Sequence, residues 1–128
     1  MVNLNNMIYT SYFGKRNIPY PTISVAGKCP DWYKGPQLKK LAPKYDFFKL
    51  YKDGEIDDAE YTRRYKKEVL DTLDPKQIVS EIYMYGQNIN VVLLCYEKPG
   101  DFCHRHLIAE WLSPYDGEVK EYEKETDN

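Results

Sequence analysis

The stretch that decides the fold is Val91–Leu112, VVLLCYEKPGDFCHRHLIAEWL, in the last third of the 128-residue chain. Its first part belongs to Asn90–Cys95 (NVVLLC), which is apolar without interruption after the asparagine. A short continuous apolar run is typical of a strand that is covered on both faces, as in a parallel sheet with helices above and below. A polar loop, Glu97–Asp101, follows, and Phe102–Leu112 reads as a helix. The stretch therefore predicts a strand, a loop and a helix of an α/β domain.

The rest of the chain supports the same class. Strands are expected at Met7–Phe13 and Thr22–Ala26, with an edge strand at Glu118–Tyr122. Helical segments are expected at Leu38–Leu41, Tyr45–Tyr51, from Asp57 to about Leu73, and from Pro75 to Gly86. Strands that alternate with helices predict a small three-layer sandwich, with a mostly parallel central sheet flanked by helices.

Length and composition bound the kind of protein. A chain of 128 residues is the usual size of one domain, so we expect a single α/β unit over 1–128. Its core is expected at about 7–122 and an acidic tail at 123–128. No apolar run is long enough to span a bilayer, and the N-terminus lacks the zones of a signal peptide. The three cysteines are an odd number, which fits a reducing cytoplasm better than a complete disulfide framework.

Charge is distributed unevenly along the chain. Residues 1–52 carry nine Lys or Arg against two acidic residues, whereas residues 53–128 carry nine against eighteen. Tyrosines stand among the early lysines, and basic residues interleaved with aromatic ones can neutralise and stack nucleotides: Tyr12, Tyr20, Tyr33, Tyr45 and Tyr51. A basic segment that is simply solvated, around a tyrosine-rich rim of the core, explains the same residues without a ligand.

The candidate site lies where the predicted strand passes into the predicted helix. In open α/β sheets, ligands bind in the crevice at the carboxyl ends of the strands. The helix that follows would turn its free N–H groups and positive dipole end to that crevice, which favours the thiolate of Cys103. At about 100° per residue, His104 lies in the middle of the apolar helix face and His106 points to solvent. A hydrogen-bonded core histidine and small buried cysteines are the structural alternatives.

These residues resemble a known family. The strand ending in Leu94-Cys95-Tyr96-Glu97 and the helix that opens with Cys103-His104-Arg105 are similar to the signature of the domain-of-unknown-function family 488. Tyr9–Phe13 and Leu41-Ala42-Pro43 resemble a branch common in bacteria and mobile elements. An Asp-Val-Arg stretch that other members carry does not occur here. The resemblance covers roughly residues 7–122, and it implies a small α/β protein with its pocket at Cys95, Glu97, Cys103, His104 and Arg105.

The first functional hypothesis is an enzyme or binding protein for a small anionic ligand, such as a nucleotide or a nucleic-acid-derived molecule. Arg105 and the helix N-terminus would hold a phosphate, and Cys95 would line the crevice. Cys103 would serve as nucleophile or polarised thiol, with His104 or Glu97 as general acid or base. Ser11 and Tyr12 would add pocket walls. We expect Cys103→Ser and Arg105→Ala to weaken binding and to leave the fold intact.

Two other hypotheses stay open, and no cofactor is identified. Cys95, Cys103 and His104 could bind zinc, although adjacent ligands on one helix would diverge by about 100°. Alternatively, the chain is a non-enzymatic interaction protein whose basic, Tyr-rich face meets a protein partner. A membrane partner is not expected, and a sequence pI of 5.7 with no evident helix-turn-helix argues against duplex nucleic acid.

Overall fold

A computed structural model describes residues 7–87, 90–97, 102–116 and 119–123 of the chain. Within these ranges the strands are β1 (Ile8–Tyr12), β2 (Thr22–Ser24), β3 (Val91–Cys95) and β4 (Lys120–Glu121). The α-helices are α1 (Tyr45–Lys52), α2 (Asp58–Glu68), α3 (Pro75–Tyr85) and α4 (His104–Asp116). Two single-turn 3-10 helices, Lys39–Leu41 and Leu70–Thr72, complete the described elements. Residues 98–101 of the expected polar loop, Glu118 of the expected edge strand and 124–128 of the expected tail lie outside these ranges.

The four strands form one parallel sheet in the order β2-β3-β1-β4. β3 lies between β2 and β1, and all five of its residues are buried. This burial explains why the strand is apolar at every position instead of alternating. The predicted α/β class with a mostly parallel central sheet is confirmed.

The two faces of the sheet are covered differently. Val91, Leu93 and Cys95 point to one face, where they join a single core with buried residues of all four α-helices. Val92 and Leu94 point to the other face. Side chains from the segments that join the strands cover it: Phe13, Ile18, Tyr20, Ala26, Cys29 and Tyr33. The second layer over the sheet is therefore made of aromatic-rich connecting segments.

The helix boundaries follow local signals in the sequence. The Asp57 side chain caps α2 by accepting a hydrogen bond from the Glu60 backbone N–H at 2.9 Å, and Asp74 caps α3. The helix expected to run to about Leu73 changes at Val69 into a 3-10 turn. There the Thr72 hydroxyl donates to the Val69 carbonyl at 2.6 Å, which competes with continued α-helical hydrogen bonding.

α4 is displaced relative to the expected helix over Phe102–Leu112. It begins at His104, so Cys103 is the residue directly before the helix, and it ends at Asp116 with Pro114 inside its last turn. The Ser113 hydroxyl donates to the Ala109 carbonyl at 2.7 Å and accepts from the Val119 N–H, which ties this turn to the segment before β4. With 13 residues α4 is the longest described helix, and none of the described helices is long and apolar enough to cross a bilayer.

Candidate functional site

A pocket of about 740 Å³ opens beyond the carboxyl ends of β2 and β3. Ligand pockets commonly have volumes of roughly 300–1,000 Å³ and lie at this edge of an open α/β sheet. Its lining comes from the segments after β2 and β3, from α1 and α2, and from the start of α4. Of the predicted site residues, the structure brings Cys95, Glu97, Cys103 and His104 together in this pocket.

Two sulfur atoms lie at the inner end of the pocket. Cys95 is the last residue of β3 and Cys103 directly precedes α4, and both side chains are buried. In the structure their Sγ atoms are bonded, with the two Cα atoms 7.4 Å apart, and the third cysteine, Cys29, is free. The chain therefore has one cysteine pair at the predicted site, within reach of any ligand that enters the pocket.

His104 is held in one orientation by a backbone carbonyl. Its Nε2 lies 2.8 Å from the Val25 oxygen, which can only accept, so Nε2 carries the proton. Nδ1 then faces Cys103 Sγ at 3.9 Å. Burial lowers the pKa of His104 to about 4, against a smaller opposing effect of the Val25 carbonyl. His104 is thus a neutral imidazole whose Nδ1 lone pair is turned toward a sulfur.

Arg105 lies behind the pocket, outside its lining. Its side chain is fully buried, and Nε and Nη2 donate to the two carboxylate oxygens of Glu121 at 3.1 and 3.0 Å. Nη1 donates to the Glu97 carbonyl and to Cys95 Sγ, the latter at 3.2 Å. This burial changes the outcome expected for Arg105→Ala, because the side chain ties α4 to β4 and to the end of β3.

Glu97 forms part of the pocket wall and is paired with a lysine of α1. Its carboxylate Oε1 lies 2.9 Å from Lys52 Nζ, and Lys52 also lines the pocket. Lys28, from the segment after β2, is the other lysine in the lining. The pocket therefore has two lysines and one carboxylate on its walls, in addition to the groups at its inner end.

Ser11 and Tyr12 do not join these residues. Ser11 pairs with Leu94 and shares its face of the sheet, opposite to Cys95. It is buried, and within the described part of the chain its Oγ has no hydrogen-bond partner. Tyr12 pairs with Cys95 in the sheet but is not part of the pocket lining. These two side chains, expected as pocket walls, lie outside this lining, because β1 lies one strand further from the opening.

Six aromatic rings contribute to the pocket wall, and the sequence pattern predicts only some of them as part of a site. The lining includes the following rings: Tyr45, Phe48, Tyr51, Tyr61, Tyr96 and Phe102. Tyr45 and Tyr51 belong to the early aromatic-and-basic group, whereas Phe48, Phe102 and Lys52 were missed. The spacing of Tyr45, Phe48 and Lys52 along α1, three and four residues apart, is the signal that could have placed them on one helix face.

The donor atoms of Cys95, Cys103 and His104 lie within 4.8 Å of one another. In the described ranges this is the one group of three or more such side chains close enough to share a metal ion. The expected divergence of adjacent ligands on one helix does not apply, because Cys103 lies outside α4.

A model of a known protein family matches most of the chain. The family model DUF488-N3a, described as the active DUF488-N3 subclade, matches residues 10–116, which include the whole candidate site. No curated protein and no solved structure matches the chain. The expected origin in a bacterial or mobile-element branch stays a prediction.

Proposed function

This chain belongs to the DUF488 family, within its N3 subclade, and we propose that its pocket binds and acts on a small anionic ligand, a nucleotide or a nucleic-acid-derived molecule. The observation that carries the proposal is the composition of the pocket: aromatic walls, two lysines, and a cysteine–histidine group at the inner end. Aromatic side chains stack on any nucleobase, and lysines neutralise phosphate. A flat ring with an attached anion matches this combination better than an aliphatic ligand does.

Different side chains of the pocket wall would bind the base and the phosphate. Tyr51 and Tyr61 have ring centroids 5.0 Å apart, and Phe102 lies 5.4 Å from Tyr51 and 5.1 Å from Tyr61. A base entering between these rings and the exposed Tyr45 would be stacked and partly desolvated. Lys28 and Lys52 would take the phosphate, which assigns to pocket lysines the role expected of Arg105. Arg105 would act as a positioning residue that holds Cys95 and the Glu97 backbone.

The chemistry would use the group at the inner end of the pocket. We place the chain in the cytoplasm, where the glutathione pool keeps most cysteine pairs as thiols. A reduced Cys103 would direct its thiol hydrogen to His104 Nδ1, which is already turned toward its sulfur, so the neutral imidazole would orient the thiol. Glu97, on the wall, could carry a proton to or from the ligand. These roles fit nucleophilic or acid–base catalysis on a bound nucleotide.

A matched pair of lysine variants tests the proposal. Lys49 and Lys52 both lie on α1, both are about half exposed, and both pair with a carboxylate, but only Lys52 lines the pocket. Lys52→Ala should weaken the binding of nucleoside monophosphates to the reduced chain, measured by calorimetric titration, by about 10- to 100-fold. This is the range expected for a charge-assisted hydrogen bond of roughly 1.5–3 kcal/mol.

Lys49→Ala should bind like the unmodified chain. Cys103→Ser should reduce any turnover of a ligand that binds. Equal affinities of the two lysine variants, or no binding of any nucleoside monophosphate to the folded chain, would contradict the proposal.

A second candidate function is a binding surface on the opposite face of the sheet. Trp32 is 63% exposed and packs edge-on against Phe13. Phe13 also contacts Tyr33 and Tyr96. An exposed tryptophan on an aromatic cluster is typical of a contact site for another macromolecule. Trp32→Ala would then abolish binding of a protein partner at this surface and leave nucleotide binding in the pocket unchanged.

A further inference from the structure

We infer that Cys95, Cys103 and His104 form a binding site for one Zn²⁺ ion when the two cysteines are reduced. This goes beyond the proposed function, which needs no metal ion. The two Sγ atoms and Nδ1 lie within 4.8 Å of one another, and all three side chains are buried. Two thiolates and one imidazole are a ligand set that Zn²⁺ prefers in proteins.

The orientation of His104 supports metal binding through Nδ1. The Val25 carbonyl accepts the Nε2 proton at 2.8 Å, so the lone pair of the neutral ring is on Nδ1, the side that faces Cys103 Sγ. Histidines that ligate metal ions almost always donate their other ring N–H to a carbonyl or a carboxylate. The partner that would orient the ligand is therefore already in place.

The backbone separation of the two cysteines also suits an ion between them. Their Cα atoms are 7.4 Å apart, whereas disulfides usually join Cα atoms about 4.4–6.8 Å apart. Arg105 Nη1 donates to Cys95 Sγ at 3.2 Å, an outer contact that would stabilise a metal-bound thiolate. The site would carry no net charge of its own, since two thiolates balance Zn²⁺.

Formation of the site from the disulfide needs a reductant. Two molecules of a small thiol reduce the Cys95–Cys103 bond, which yields two protein thiols and one small disulfide. Zn²⁺ then displaces the two thiol protons to solvent and binds both sulfurs and Nδ1. The oxidised pair cannot offer thiolates, so metal binding and the disulfide exclude each other.

The three protein ligands leave the fourth position of a tetrahedral ion free. All three residues line the pocket, so that position would be reached from it by water or by an atom of a bound ligand. Sites with three protein ligands and one open position are typical of catalytic zinc, whereas structural zinc has four protein ligands. With zinc bound, Cys103 and His104 would be ligands and not the metal-free catalytic group, so the open position of the ion, and not the thiol, would face a molecule in the pocket.

Cobalt substitution tests the site directly. The full chain, treated with a metal-free phosphine reductant and freed of metal by a chelator, is titrated with Co²⁺. We expect one Co²⁺ per chain, with a thiolate-to-cobalt charge-transfer band and the strong visible bands of tetrahedral cobalt. Zn²⁺ should then displace the Co²⁺ and remove both signals.

Single cysteine variants supply the control. Loss of an outer contact weakens metal binding by about 10- to 100-fold. Cys95→Ser and Cys103→Ser each remove a direct ligand, so each should weaken Zn²⁺ binding by more than that. Cys29→Ser, at the cysteine outside the group, should bind like the unmodified chain. Absence of the charge-transfer band in the folded, reduced chain would overturn the inference, as would equal Zn²⁺ affinities of the three folded variants. Because the titration contains no nucleotide, its outcome is independent of the proposed function.

Discussion

Replacement of Arg105 by methionine is expected to lower the free energy of unfolding by about 3 kcal/mol. The guanidinium is fully buried and forms a two-point contact with Glu121, whose side chain is 21% exposed. Removing one partner of a buried ion pair costs roughly 3–5 kcal/mol. The lower end applies here, because the Glu121 carboxylate is partly exposed and still accepts a hydrogen bond from the Thr10 hydroxyl at 2.7 Å. The Glu97 carbonyl would lose a donor as well. Urea unfolding followed by circular dichroism measures the change.

Two comparisons separate this effect from a general loss of charge. Arg63→Met removes an exposed arginine that also pairs with a glutamate, and it should change stability by no more than about 0.5 kcal/mol. Combining Arg105→Met with Glu121→Leu should recover part of the loss, since the remaining charge is removed too. If Arg105→Met unfolds at the same urea concentration as Arg63→Met, the buried pair does not hold α4 to β4.

Acidification is expected to destabilise the metal-free chain through His104. The folded-state pKa is lowered to about 4, mainly by burial, from an ordinary value of 6.5. The unfolded chain therefore binds a proton that the folded chain excludes, so this contribution to stability is complete above pH about 6.5 and is lost between pH 6.5 and 4. A shift of this size corresponds to about 3 kcal/mol. The free energy of unfolding should be measured with chelator and reductant present, so that neither metal nor disulfide changes the titration.

A variant without the imidazole isolates the contribution. His104→Gln, which can still donate to the Val25 carbonyl, should be less sensitive to pH by about 3 kcal/mol over that range. His106→Gln, at the exposed histidine two residues on, should keep most of the dependence. The same pH dependence in His104→Gln as in the unmodified chain would mean that His104 is not held neutral by the fold.

Local features carried most of the fold prediction. The apolar run of β3 predicted a buried strand in a parallel sheet, and Asp74-Pro75 predicted the start of α3. Both predictions hold because these signals act within a few residues. Local sequence signals could not predict the layer of side chains that covers Val92 and Leu94. Aromatic residues such as Phe13 and Tyr33 cover that face from irregular segments, whose paths depend on contacts between distant parts of the chain.

The sequence predicted which residues form the site better than it predicted the role of each residue. The four pocket residues meet because Cys95 ends the strand and His104 begins the next helix, with Glu97 and Cys103 in the connection between them. The sequence order already implies this arrangement. The position of Arg105 depends on its ion pair with Glu121, which belongs to β4, the strand after α4. The periodicity of a helix cannot predict a contact with a later strand. The aromatic wall depends on the packing of α1 and α2 over the opening, a long-range arrangement that no local motif encodes.

Binding of a small anionic nucleotide in the pocket beside Cys103 and His104 should be visible residue by residue. The most direct measurement is an amide NMR titration of the reduced chain with nucleoside 5′-monophosphates, one at a time. We expect saturable shifts at pocket residues such as Gly27, Tyr51 and His104, with Trp32 and Arg16 unchanged. Shifts confined to Trp32 and its neighbours, or no shifts at millimolar ligand, would contradict it.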